Sequence, residues 1–462
     1  MSALLLMKNA LAVGLAAFIV LIPTLLNGYP YFFYDSADYL NIGINFEYMA
    51  LRNPFYALLI RPLHGVVSLW PPVIFQALLA VWVLHESLAV FDVNPVCHKR
   101  FLGLTFLLTL MTSMPLYVGQ IMPDFIIAFM VLAIAAVAFG EDQISLLRRL
   151  ILVFIAAIGA ACHNSHLVLA GGLVLCLIIA RPLAIRFALP VPRLLLPMAS
   201  VAIALVLIPT ANLALGGRFV VSEVGSVYMF GRNIQDGVAK KTLDHLCPDP
   251  SIKLCAHKDT LPKTTNDYLW GPNPAFKAAG GWNGSREESA KLVNASLRLF
   301  PLDHLKAIIN LSLEQLFMLR SLDGIHAQYG LVWVYMERYF PKEFPAYVNA
   351  YQQQDVLPRE GVNLLHEPVG LLATIASLFV IYAAWRRRQF RLAAFCAFVA
   401  IAVFGNAFVC GALSNPNHRY QSRIVWLAVL SCSLFLVRNQ GKDSASRKPK
   451  LASEFTGVSE AR

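Results

Sequence analysis

The sequence predicts an all-α polytopic membrane protein, and three observations lead there. Of its 462 residues, 57% are hydrophobic and only 14% are charged, whereas a soluble globular protein carries about 25% charged residues. Apolar runs of helix-forming length recur along the chain. The basic residues fall in short clusters between those runs, which is how orientation is encoded in membranes. The net charge of +11 therefore speaks for topology and against a nucleic-acid partner.

The runs lie near 9–27, 73–91, 101–118, 123–140, 149–163, 166–181, 194–212, 366–385, 392–410 and 423–437, about ten spans. Several are shorter than the roughly 20 residues that a bilayer asks of a helix, so their ends are soft. The first is too long for the apolar part of a signal peptide and lacks a small-x-small cleavage site, so it is read as a retained span. Residues 54–70 are apolar but hold Arg61 and His64. Counting them as a span would put Lys99 and Arg100 on the outer side, so they are read as a half-immersed interfacial helix.

Orientation follows from the loops. Lys99 and Arg100, Arg148 and Arg149, Arg181, Arg186 and Arg193, and Arg386 to Arg388 with Arg391 share one side of a ten-span arrangement. The positive-inside rule makes that side cytoplasmic, together with both termini. The Ala/Leu-rich style and short loops suit a bacterial inner membrane. The expected organisation is an N-terminal membrane module, 1–212, with a first outer loop at 28–72, and a periplasmic segment at 213–365. Membrane helices at 366–437 and a disordered cytoplasmic tail at 438–462 complete it.

The first half of 213–365 is rich in Gly, Asn, Asp and Pro and reads as mostly loop. Ser285-Arg286-Glu287-Glu288 has the spacing of a capping box that opens a helix. Pro301 suits the first turn of a second, amphipathic helix at about 302–320, expected on the membrane surface. Cys247 and Cys255, in this polar segment, read as a local disulfide in an oxidising compartment. Cys97, Cys162, Cys176, Cys396, Cys410 and Cys432 lie in or beside apolar runs and read as small hydrophobes.

The unusual polar residues gather on the predicted outer face. Asp35 and Asp38 follow the first span, and Asp124 opens the fourth after Pro123. His163 and His166 cap the turn between the fifth and sixth, and His418, Arg419, Tyr420 and Arg423 open the last. Acids at a membrane boundary are costly enough to point to function. A carboxylate can take a proton from an acceptor hydroxyl. Arginine offers a fork matched to phosphate oxygens, and histidine can donate to a phosphate or shuttle a proton. Each also fits a plainer role: the acids as helix caps, the histidines as solvated turn residues, Arg419 as a snorkelling cation, and Tyr34, Tyr39 and Tyr420 as belt aromatics.

At these residues the chain resembles the multi-spanning GT-C class of glycosyltransferases, which use polyprenyl-phosphate sugars. Asp35-Ser36-Ala37-Asp38-Tyr39 is similar to the Asp-Ser-x-x-Tyr run of that class's first outer loop, Pro123-Asp124 to its mid-chain acid, and Arg419-Tyr420 to its late Arg-Tyr. The outer segment with its Pro-led helix, Phe300-Pro301-Leu302-Asp303-His304-Leu305, also resembles that class.

The resemblance implies a GT-C-like bundle and an inverting sugar transfer to a glycan, lipid or protein acceptor, with membrane lipid as the other partner. Asp35 is the implied base, with Asp38 beside it. Arg419, Arg423, His418 and Tyr420 are the implied phosphate site, with Asp124, His163 and His166 supporting. No obvious Asp-x-Asp motif occurs, so no cofactor is assigned and a divalent metal stays open. The alternatives are a carrier that flips lipid-linked glycans and a receptor whose outer segment binds a partner.

Overall fold

The computed structural model describes residues 3–91, 98–247 and 249–446. The chain is a polytopic helical membrane protein. Among the described residues, seven helices are long and apolar enough to cross a membrane, and Pro123–Phe139 forms a shorter apolar one.

The first half runs α1 (Ala3–Asn27), α2 (Ser36–Asn45), α3 (Phe55–His64), α4 (Trp70–Phe91), α5 (His98–Met111), α6 (Met114–Val118), α7 (Ile126–Phe139), α8 (Leu146–Ala161), α9 (Asn164–Arg186) and α10 (Leu195–Ala214). The outer segment follows with α11 (Gly225–Gln235), α12 (Val238–Leu246), α13 (Thr265–Leu269), α14 (Pro274–Ala278), α15 (Gly281–Gly284), α16 (Arg286–Leu299), α17 (Pro301–Phe317), α18 (Leu331–Tyr339) and α19 (Phe344–Val348). The long helices α20 (Arg359–Arg386), α21 (Phe390–Leu413) and α22 (His418–Ser446) close the chain.

Helix α7 is the axis of the bundle. It is apolar on every side, and Ile126 to Ala138 are all buried, as expected of a helix surrounded by others. It packs on α4, α8 and α10 and touches α21 and α22.

Several expectations change. The run 101–118 is two helices, because the chain breaks at Thr112 and Ser113 before α6. Helix α3, by contrast, keeps to expectation: with only 10 residues it is too short to span, as 54–70 was read. The first half of 213–365 is not mostly loop. Short helices share a second core built on Val227, Phe230, Ile234, Leu243, Tyr268 and Leu292. Its apolar residues are interleaved with Gly and Pro, which hides the helical spacing.

The capping box does not form either. The Ser285 hydroxyl donates back to the Gly281 carbonyl (2.6 Å), and the Glu288 carboxylate accepts from the Leu254 N–H instead (2.9 Å). Helix α17 opens on Pro301 as expected and ends at Phe317. It packs on α21 so closely that a Cβ at Gly411 would stand 2.6 Å from the Ser312 backbone nitrogen. Helix α22 continues to Ser446, into the segment expected to be disordered, and the tail from 447 and Cys97 lie outside the described residues. Cys247 and Cys255 are joined by a disulfide.

The first outer loop is fastened from both sides. Tyr31 makes an isolated parallel bridge to Gln120, with Ile121 N–H donating to the Tyr31 carbonyl (2.9 Å). The Ser36 hydroxyl donates to the Ile121 carbonyl (2.9 Å) while accepting from the Phe33 N–H (2.9 Å). From the late outer segment, the Gln352 amide pairs with both backbone groups of Phe32 (3.0 and 2.7 Å). Asp35 thus enters α2 on a backbone held by two distant parts of the chain.

Candidate functional site

Asp35 and Asp38 stand one turn apart at the start of α2. Asp35 precedes the helix without capping it. Its Oδ1 accepts instead from Arg52 Nη2 (2.5 Å), and Asp38 Oδ2 accepts from Arg52 Nε (2.7 Å). One guanidinium on the loop after α2 therefore bridges both acids. Burial pushes Asp38 above its ordinary value of 3.8, and Arg52 only partly offsets this. Burial works against the charge of Arg52, but Asp35 and its neighbours outweigh it and hold the guanidinium above its ordinary value.

The second layer comes from the membrane helices. Arg419 Nη1 lies 3.7 Å from Asp35 Oδ2, and its Nε lies 3.9 Å from Asp124 Oδ1. Residues from opposite ends of the chain thus meet at one rim of the bundle. Arg423 Nη1 donates to Asp124 Oδ1 at 2.8 Å. The Asp124 side chain is 2% exposed and that of Arg423 0%. Asp124 lies within the 3-10 turn Pro123–Phe125, and its carboxylate serves the arginines. Removing charges this far from water is tolerable only because they are paired.

Arg423 is further engaged by Ser165 Oγ (3.3 Å), Asn406 Oδ1 (3.4 Å) and Cys410 Sγ (3.7 Å). It faces the helix interior and fixes Asp124. Arg419 is different. Its side chain is only 7% exposed, yet neither Nε nor Nη1 has a hydrogen-bond partner. Its guanidinium carbon sits 4.0 Å from the centre of the Phe33 ring, and it lines a small pocket with Tyr31, Tyr117, Gln120 and Asp323. A buried cation with open N–H valences, held flat by an aromatic ring, is suited to receive an anion.

The remaining expected residues divide. Tyr420 lies near both guanidiniums, 5.1 Å from Arg419 and 5.0 Å from Arg423 by ring centre. His163 Nδ1 is 2.8 Å from Ser165 Oγ, which puts it one residue from the Arg423 network, and His166 stacks near it at 5.2 Å. The His166 ring bonds back to the Gly159 carbonyl (3.0 Å). His418 is turned to the stretch just past α17, where its Nδ1 accepts from the Arg320 N–H (3.1 Å).

Sequence reasoning passed over Arg52, Phe33 and Tyr228. Arg52 had a signal: it is the nearest cation after two acids that need a counter-ion. Tyr228, on α11, interacts electrostatically with Arg52, Asp35 and Asp38, and burial pushes its phenol up to about 12. It had no signal, because only the folded outer segment carries it to the rim. Among the described residues no cluster of three or more His, Cys, Asp or Glu is arranged to hold a metal ion.

No family model, curated protein or solved structure matches this chain.

Proposed function

We propose that this chain is a GT-C-type glycosyltransferase that moves a sugar from a polyprenyl-phosphate donor to a cell-envelope acceptor with inversion. The observation that carries the reading is the meeting of Asp35 with the buried, under-bonded Arg419. An acid with one open oxygen beside a cation with open donors suits a nucleophile on one side and a phosphate leaving group on the other. The side chain of Asp35 is 22% exposed, so an acceptor can reach it.

In this reading Asp35 takes the proton of the acceptor hydroxyl. The hydroxyl oxygen bonds to the anomeric carbon while the carbon–oxygen bond to phosphate breaks. That electron pair leaves on a phosphate oxygen, whose charge Arg419 receives. Arg52 aims Asp35, and Asp124 with Arg423 holds Arg419 in place. An open apolar groove of about 680 Å³ between α9, α20 and α21, lined by Leu169, Leu378, Ile401 and Phe404, suits an isoprenoid tail.

The topology belongs to the proposal. In this reading ten helices, α1, α4, α5, α7 to α10 and α20 to α22, cross the membrane, with the site at one rim and the basic loops at the other. With the basic end cytoplasmic, the site faces the periplasm of a bacterial inner membrane, where the disulfide is at home.

The test compares, by mass, the envelope glycans of cells lacking this chain with those of cells given it back. Wild type should restore the lost glycan, and Asp35→Asn, expressed equally, should not. Restoration by Asp35→Asn, with Asp38→Asn also active, overturns the assignment of the base. Movement of a lipid-linked glycan across vesicles without bond cleavage would favour a flippase.

A further inference from the structure

The acceptor side of the rim is walled by aromatic rings from the outer segment. Trp270, just past α13, is 52% exposed although Tyr268 and Leu269 before it are buried. Its ring centre lies 6.0 Å from the Arg52 guanidinium carbon, and Arg52 holds both Asp35 and Asp38. At that distance the contact is at the outer limit of a cation–π interaction, so the ring is not consumed by it.

Trp270 is fixed from behind. Trp282 lies 4.9 Å away by ring centre and is itself packed by Tyr228 (5.2 Å) and Phe276 (5.2 Å). The start of α13 is held by the Thr265 hydroxyl, which donates to the Gly231 carbonyl (3.0 Å). Asn266 on the same helix meets Asn415, in the turn that leads to Arg419 (3.4 Å). The exposed ring is therefore anchored to both halves of the site.

We infer that Trp270 is a stacking platform for a pyranose ring of the acceptor, which makes the acceptor a glycan. The inference rests on the glycosyltransferase reading for its place in the reaction, although the binding it asserts can be measured without that reaction. The argument is chemical. One face of a pyranose presents C–H groups that are apolar and slightly positive, and an indole presents a broad apolar face with negative π-density. The sugar's hydroxyls need donors and acceptors at its edge, and the amides of Asn266 and Asn415 and the two carboxylates supply them. A tryptophan anchored in lipid headgroups would sit among aliphatic side chains. Trp270 instead has other aromatic rings behind it and the Arg52 guanidinium, with the acids it holds, beside it.

The experiment is saturation-transfer NMR on the full chain in lipid nanodiscs, with methyl glycosides of glucose, galactose, mannose and N-acetylglucosamine as probes. At least one glycoside should receive saturation on its ring C–H protons. Trp270→Ala should weaken that binding about tenfold, and Trp270→Phe should keep most of it. Trp385→Ala is the control, since Trp385 is 48% exposed at the opposite end of the bundle. It should change nothing.

If no glycoside is saturated, or if Trp270→Ala binds as wild type does, the inference is wrong. Quenching of Trp270 by brominated lipid would also overturn it. Unfolding of Trp270→Ala does not end the test, because Trp270→Leu, which keeps an apolar side chain without a π face, should lose most of the binding, and wild-type binding by it overturns the platform. Glycoside binding combined with an active Asp35→Asn would sink the base assignment and leave the platform standing. Loss of transfer in Asp35→Asn with unaltered binding in Trp270→Ala would do the reverse.

Discussion

Two buried carboxylates mark the two ends of the bundle, and they are not equivalent. Asp124, at the rim, is buried against Arg423 and Arg419, which are themselves buried. Glu86, at the far end of α4, is 1% exposed and accepts from Arg148 at 2.6 Å, but Arg148 is 39% exposed. His85 stands 3.4 Å from the same oxygen. The pairs look alike on paper. They differ in which partner can reach water. At the far end the cation can, so the pair is a latch between α4 and α8. At the rim neither can, and the open valences belong to the cations, Nε and Nη1 of Arg419 and Nε of Arg423.

That contrast can be broken by substitution. Asp124→Ala leaves Arg423 without its acid and Arg419 with Asp35 alone, and should cost about 3–5 kcal/mol, read as a lower unfolding temperature in detergent. A variant as stable as wild type would mean that the rim is not under charge strain. Arg148→Ala should cost about 1–3 kcal/mol, because it leaves a buried carboxylate short of a donor. Glu86→Gln should cost about 1 kcal/mol or less, since Arg148 can turn to solvent. If Glu86→Gln proves worse than Asp124→Ala, exposure of the partner is not what separates the two ends.

The smallest effect sharpens the picture of the acids. Burial raises Asp38 above 3.8, so the folded chain holds a proton that the unfolded chain has released. Stability from this source is full below 3.8 and is lost as pH rises through the raised value. Unfolding temperature measured against pH should fall across that window in wild type. In Asp38→Asn the fall should be smaller.

Much of this was legible from the sequence, and the rest was hidden for definite reasons. The membrane helices announced themselves because a bilayer demands long apolar runs. Asp35, Asp124 and Arg419 stood out because charge at that boundary is expensive. Arg52 was overlooked because its partners lie 17 and 14 residues away, a spacing that corresponds to no local motif. The capping box misled because Glu288 found a better donor in Leu254, which only tertiary structure brings near. Tyr228 and Trp270 sit among glycines and prolines, and their service to the rim depends on how the outer segment folds back over it.

The crossing at Gly411 has a consequence of its own. The backbone of α17 rests where any side chain at that position would have to go. From there the chain runs only a few residues to the turn that presents Arg419, and Gln315 on α17 grips that turn through Asn417 (2.8 Å). In a saturation library, position 411 should therefore tolerate nothing but glycine, as intolerant as an acid that takes the proton, although it performs no chemistry itself.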